Sequence, residues 1–548
     1  MKKKMLALLL VVAMLATSLM ACGGSKTDDA ANTDDSAATA EKQLVVEIGP
    51  DPETIDPALN SASDGGNMIL HLFEGLLTID QNEQLQPGVA ETWDVSEDGL
   101  TWTFHLREGL KWSDGTDMTA NDFVYSWKRV CDPATAAPYA ETVLNMVKGY
   151  DDAINGDVDA LAVEATDDLT LVVELAKPCT YFGSLVAFAT LSPVQQATIE
   201  ANGEAWATAA ETYISNGPFH ITEWVPGSHI TMSKNEYYWD ADSIKLDSIK
   251  FLLMEDTNAA YSAYQTGEAH MVKDVPTEEI PSLTDNDEFN VAEMIGTYYV
   301  SINTQLEQFQ DARVRKALSL AIDREYVANT IMQGTYTPAY NFMGPGWTDA
   351  EENDFMSGAN GGETYISSDY EANLAEAKAL LAEAGYPDGE GFPTITYSTN
   401  DDGYHKAVAE HLQQAWAELG LTLNIETVEW GQFTSMRRSG DYEIARNGWV
   451  GDYTDASNQL ELFYSTNGNN DGKFNNADFD AAIDLSRTTT DAAERTAALH
   501  EAEDILMNEA GCIPLAYYAD YWLESPKVEG IWHSPRGYWY FMYADIVE

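Results

Sequence analysis

The sequence predicts a multi-domain α/β protein, rich in strands in its first half and alternating strand with helix in its second. Three observations carry that expectation. The chain has 548 residues, which at about 150 residues per domain is three or four domains' worth of chain. Residues 101–106 (TWTFHL) and, less regularly, 169–175 (LTLVVEL) alternate apolar and polar side chains with the period of a strand. From residue 394 onward, strand-like and helix-like segments alternate at a spacing that implies a largely parallel sheet.

Composition narrows the function. With 90 Asp+Glu against 29 Lys+Arg, the formal charge is −61. That excludes nucleic acid as the natural partner, because phosphate binding needs basic clusters. It also repels anionic lipid surfaces. The 14 Trp, 28 Tyr and 17 Phe are too many for a disordered acidic chain. The 4 Cys cannot build a dense disulfide framework.

Taken in order, residues 1–21 read as a signal peptide. Lys2, Lys3 and Lys4 precede an uncharged apolar run, which is shorter than the roughly 20 residues a spanning helix needs. The run leads into Leu19-Met20-Ala21-Cys22, which resembles the lipobox of bacterial lipoproteins. That resemblance implies that Cys22 becomes the mature N-terminus and carries diacylglycerol; an ordinary secretory signal with a chance cysteine is the alternative. Residues 22–42 are mostly small and polar, without an aromatic, and are expected to be a flexible tether. Cys131, Cys179 and Cys512 are expected to be buried thiols, since their spacing implies no pairing.

In the folded part, Gly99 and Gly115 mark turns. Thr119 followed by Asp122 reads as a capped helix start running through Trp127. Asp311 caps a second helix with Val314, Leu318, Ala321 and Ile322 on one face. Leu374, Ala377, Leu381 and Ala384 repeat the pattern and Gly385 ends it. Strands are expected at 394–398, 421–428 and 442–449, with helices at 405–419 and 430–438 between them. Ligands of such sheets sit beyond the carboxyl ends of the strands, where Gly451, Asp452 and Tyr453 fall.

No catalytic signature is present: there is no nucleophile elbow, and His500-Glu501 lacks the second histidine of a zinc protease. Residues 468–473 lack the spacing and hydroxyl of a phosphate loop. Residues 467–478 follow calcium-loop spacing but offer only two carboxylates and start on Asn467, so a polar surface loop is the expected reading. No metal centre and no cofactor are expected.

Residues 90–115 (AETWDVSEDGLTWTFHLREGLKWSDG) resemble the signature of the peptide- and nickel-type extracellular solute-binding proteins of ABC importers. Residues 121–129 (NDFVYSWKR), 216–219 (NGPF), 314–324 (VRKALSLAIDR) and 448–453 (GWVGDY) continue the resemblance in order, over nearly the whole mature chain. The nearest group is the oligopeptide-binding lipoproteins. The resemblance implies a two-lobe periplasmic-binding-protein-like fold (type II, cluster C) with an extra domain in the N-terminal half. Lobe I would comprise 43–73, 193–295 and 520–548, the extra domain 74–192, and lobe II 296–519. It further implies a monomeric receptor, not an enzyme, held at the extracytoplasmic face of the cell membrane by its N-terminal lipid only, which closes on oligopeptides and delivers them to ABC permease subunits.

A closed site must pair each fixed charge of a peptide, because a buried unpaired charge is expensive. By resemblance, Asp452 takes the ammonium, while Arg446, His405 and Arg437 are the candidates for the carboxylate. Tyr125 would line the cleft. Ser61, Ala62 and Ser63 from one lobe, with Gly448, Trp449 and Val450 from the other, would contact the peptide backbone in β fashion. The sequence departs from the family pattern in three places. Ile331 stands where a lysine is expected, Gly296 and Val450 stand where some relatives carry a disulfide, and Met294 replaces a cleft tyrosine. The alternative solute within the family is an oligosaccharide, stacked on tryptophan; nickel or haem is less favoured, because the 9 His form no cluster.

Overall fold

The computed structural model describes residues 41–273, 275–350, 353–357, 364–400 and 403–547. Cys22, the expected signal peptide and the tether up to residue 40 lie outside the described residues.

An eleven-stranded sheet runs through the protein. At one end lie Leu423–Val428, Ile395–Asn400 and Ile444–Val450, mutually parallel as the alternation of strand and helix predicts. At the other end, Gln43–Glu47 runs parallel to Ser248–Leu252 and Met271–Val272. The remaining ladders are antiparallel, so the sheet is mixed rather than largely parallel. The reason lies in its centre. Phe289–Ile302 and Cys512–Glu524 form a long antiparallel ribbon, and parallel pairing survives only where a crossover connection brings the chain back.

That ribbon belongs to both halves of the molecule. Residues 289–293 pair with 519–523 beside Met271–Val272, and Gly296 to Ile302 pair with Val450 back to Ile444. The register slips between Glu293 and Thr297, where the ribbon passes from one half to the other. Two separate hydrophobic cores flank the crossing. One gathers Leu44, Phe251 and Trp539; the other gathers Tyr298, Leu318, Trp416 and Leu515.

A second, four-stranded antiparallel sheet orders Ala90–Val95, Thr101–Leu106, Thr170–Glu174 and Val163–Asp167. The alternation in 101–106 places Trp102, Phe104 and Leu106 inside. Helix Ala120–Cys131 opens on the expected capping box between Thr119 and Asp122. The helices of the second half, Ala312–Leu320 and Tyr370–Glu383, are capped by the side chains of Asp311 and Asp369. Gly385 follows the latter at φ +101°, in the left-handed region glycine favours.

Cys131, Cys179 and Cys512 are free and buried. The loop 467–478 is not the expected polar surface loop. Asn470 and Asp471 are buried, and Asp471 turns inward to Asn447 and Arg437. Buried Phe474 anchors it in the second core.

Candidate functional site

A chamber of about 180 Å³ lies where three parts of the chain converge. Ser61, Ala62 and Ser63 contribute one wall, Val450, Gly451 and Asp452 the opposite one, and Tyr139 with Phe188 comes from the region of the smaller sheet. Lys273, Met294 and Asp520 close it near the ribbon's crossing point, and Arg536, Gly537 and Tyr538 from the C-terminal segment complete it.

Each wall is fixed by local chemistry. Ala62 is extended (φ −129°, ψ 150°) and precedes helix Ser63–Leu72. Two side chains one turn apart on that helix, Asn67 and His71, bind the C-terminal segment. Trp539 N–H donates to Asn67 Oδ1 (2.7 Å) and Phe541 N–H to His71 Nε2 (2.8 Å). Burial drives the His71 pKa down to about 4, so its ring stays neutral and Nδ1 donates to the Asn67 carbonyl. Ser63 and Gly537 are thereby set side by side.

Asp452 follows strand Ile444–Val450 after a single residue, Gly451. Gly451 is required there because a Cβ would lie 2.4 Å from the Trp347 ring, and its N–H donates to the Ile295 carbonyl (2.7 Å). The loop beyond is anchored by Asp455, which Arg495 grips with two buried bonds (2.7 and 2.8 Å). Tyr453 stacks on Tyr181 at 5.1 Å.

The Asp452 carboxylate accepts from Tyr139 O–H (3.0 Å) and, weakly, from Asn458 Nδ2 (3.4 Å). The same Asn458 receives the Asp452 N–H and the Trp449 indole N–H on its Oδ1. Burial pushes the Asp452 pKa up to about 6, against the pull of these hydrogen bonds and of the positive charge on Arg536. Among the ion pairs of the described residues, none includes Asp452. Asp452 therefore faces the chamber without an ion pair of its own, although Lys273 and Arg536 also line it.

The other expected site residues fall in different places. Ser61, Ala62, Ser63 and Val450 line the chamber with Asp452. The Ala62 carbonyl already accepts from Asn60 Nδ2 and Gly66 N–H. Gly448 and Trp449 stand on the same strand just before the chamber. Gly448 is needed because Tyr518 Oη would sit 2.1 Å from a Cβ, and its N–H is taken by Asn447. On the side facing Ile395–Asn400, strand Ile444–Val450 is paired only at Ile444 and Ala445.

None of Arg446, His405 and Arg437 lines this chamber: the Arg446 and His405 side chains lie together, and the Arg437 side chain stands apart from theirs. The Arg446 guanidinium lies 5.3 Å from the centre of the Tyr298 ring and 5.9 Å from that of Trp430, and donates to Tyr518 Oη (3.3 Å). Its Nε has no hydrogen-bond partner among the described residues. His405 is buried against Tyr298 (3.2 Å), and burial together with the Arg446 charge lowers its pKa to about 3, so it is neutral and offers no positive charge. Arg437 is buried behind the strand, bonded to Asn447 Oδ1 and 3.7 Å from Asp471. Tyr125 is absent from the chamber lining and packs against the first core. The aromatic that reaches Asp452 is Tyr139, fourteen positions along. It sits in a turn before a short helix, Ala140–Leu144, where no periodicity marks it. Asn458, Lys273, Asp520 and Arg536 were equally silent in the sequence.

Comparison with known proteins decides the family. Residues 84–471 match the family described as bacterial extracellular solute-binding proteins, family 5 Middle. The chain belongs to this family. Its members are solute-binding proteins, not enzymes. The oligopeptide-binding protein OppA of Bacillus subtilis is 33% identical over 510 residues, covering 91% of this chain and 92% of its own length. The probable deoxycholate-binding periplasmic protein YgiS of Escherichia coli is 34% identical over 497 residues, covering 89% and 91%. The crystal structure of Haemophilus influenzae OppA in complex with RPPGFSPFR superposes with a TM-score of 0.77 at 32% identity, covering 93% of this chain and 99% of that one. The fold is accordingly the two-lobe α/β fold of these binding proteins, and no helix among the described residues is long and apolar enough to cross a membrane.

Proposed function

We propose that the protein is a lipid-anchored extracytoplasmic receptor, acting as a monomer, that closes its lobes on oligopeptides and delivers them to an ABC permease. Cys22 carries the lipid, residues 22–42 are the tether, and the lobes and extra domain follow the boundaries expected from the sequence. One observation carries the reading. A carboxylate sits where three walls meet, held by Tyr139 and Asn458, and lacks an ion-pair partner among the described residues. A peptide ammonium supplies the missing charge. The peptide backbone lies along residues 446–450, beyond the point where the ladder to Ile395–Asn400 stops. Arg446, in its tyrosine surround, takes the carboxylate. Arg437, already beside Asp471, and neutral His405 support it from behind.

A charge-assisted bond is worth about 1.5–3 kcal/mol, or roughly 10- to 150-fold in affinity. In calorimetry with a defined peptide, Asp452→Asn is expected to weaken binding by that factor, and N-acetylating the peptide is expected to weaken binding to the unmutated protein equally. Unchanged affinity in both arms would remove the assignment.

A further inference from the structure

A second cavity, about 600 Å³, lies between helix Ser63–Leu72, strand Leu77–Ile79 and the C-terminal segment. It is larger than the chamber at Asp452 and falls within the range of sites that enclose small organic ligands. The two cavities share Phe188, Ala189, Arg536 and Tyr538 as a common wall, and Asp452 lies on the far side of it. Trp239 and Tyr543, 40% and 53% exposed, line the cavity and reach solvent. Further in, Phe73, Tyr238, Trp532 and Tyr540 make the lining aromatic.

The charge inside is one-sided. Glu74, Asp80 and Asp240 line the cavity. The one cation among the lining residues, Arg536, is neutralised by Glu83 (2.9 Å). Asp80 is occupied by its own turn, accepting from the N–H groups of Asn82 and Gln84 and from Gln86. Glu74 is different. Its two oxygens accept from Tyr238 O–H (2.7 Å) and the Trp239 indole N–H (2.5 Å), with no ion pair among those of the described residues. Aromatic faces around a carboxylate suit a ligand that is both apolar and cationic.

We infer that this cavity is a second ligand site, separate from the peptide chamber, for an organic ammonium carried on an aromatic body. The ammonium meets Glu74 and the ring stacks among Trp532, Tyr540 and Tyr543. Burial pushes the Glu74 pKa up to about 7. The Tyr238 and Trp239 bonds and the Arg107 charge pull it down, and the Asp240 charge lifts it again; Asp80 and Tyr543 also face this group. Only the ionised form attracts a cation, so affinity rises with pH through neutrality.

Tryptamine, protonated throughout this pH range, is the probe, measured by calorimetry on the intact protein. Binding is expected at pH 8 and about tenfold weaker at pH 6, as the ionised fraction of Glu74 falls. Tryptophol, the neutral analogue, is expected to bind at least about tenfold more weakly at pH 8. Glu74→Gln is expected to remove the pH dependence. Ser243→Trp, at an exposed position on the rim, is expected to block the probe without disturbing the fold. Both variants should bind peptide normally, and Asp452→Asn should bind tryptamine normally. No tryptamine binding, or binding unaffected by Ser243→Trp, overturns the inference. Displacement by saturating peptide, or loss in Asp452→Asn, also overturns it by placing the probe in the peptide chamber. Equal affinity for tryptophol overturns the assignment to a cation.

Discussion

Asp452 is less comfortable in the folded protein than in the unfolded chain. Its pKa rises from 3.8 to about 6, chiefly through burial. Between those values the native state holds a proton that the unfolded state has lost. Stability therefore falls as pH rises from about 4 to 6, and the deficit persists above that window. Asp452→Asn removes it. The variant is expected to raise the melting temperature of the ligand-free protein at pH 7, by the equivalent of about 1–3 kcal/mol. The gain should vanish at pH 3, where the aspartate is protonated in both states; a gain independent of pH would contradict this account. On the proposed reading of Asp452, binding and folding pull in opposite directions at one carboxylate, as they commonly do at functional sites. The position of Asp452, just beyond a strand end and in the chamber lining, was legible in the sequence because a six-residue motif and that strand end coincide on it. Tyr139, its closest hydrogen-bond donor, was not: a turn tyrosine has no pattern, and only the packing of the region around the smaller sheet brings it there. Tyr125 shows the same gap in reverse, since its motif was recognised but its helix packs the side chain against the core.

At the scale of elements, the loop behind Asp452 is anchored by a buried ion pair. Asp455 and Arg495 are both buried, with two hydrogen bonds between them, and Thr348 pairs with the same loop through its backbone. Removing one member of such a pair strands the other, at about 3–5 kcal/mol. Arg495→Ala is expected to destabilise the protein by that amount in chemical denaturation and, in whatever remains folded, to weaken peptide binding through the displaced loop. A loss under about 1 kcal/mol would mean that the loop is held by its backbone alone. Elements of this kind were mostly legible, because capping residues and apolar spacing are local: Asp311, Thr119 and Gly385 each mark a helix end in the structure. Sheet direction was not. Alternating strand and helix correctly implied three parallel strands, but nothing near residues 289–302 reveals that they pair with residues 512–524 more than two hundred positions away.

For the molecule as a whole, that ribbon decides how the two cores relate. Both of its strands run unbroken from one core to the other, so neither core is complete without a strand segment shared with its neighbour. The lobe closure proposed above would take the form of bending or twisting, with the slipped register between Glu293 and Thr297 as the natural place for it. Ligand-free protein is expected to melt in one calorimetric transition, and a fragment of residues 296–511, which lacks the ribbon strand 512–524, is expected not to fold. Two resolved transitions, or a folded fragment, would show the cores to be independent. The charge of −61 is spread over this entire body and singles out no residue.

The strand Ile444–Val450 loses its neighbour on one side after Ala445, which leaves the sheet one segment short. On the proposed reading, a peptide laid along that margin is recognised through its main chain, so selectivity is expected for its two ends and the span between them rather than for its side chains. An unpaired strand margin is in general a template for another chain, so on the same reading cargo that completes the sheet also shields it.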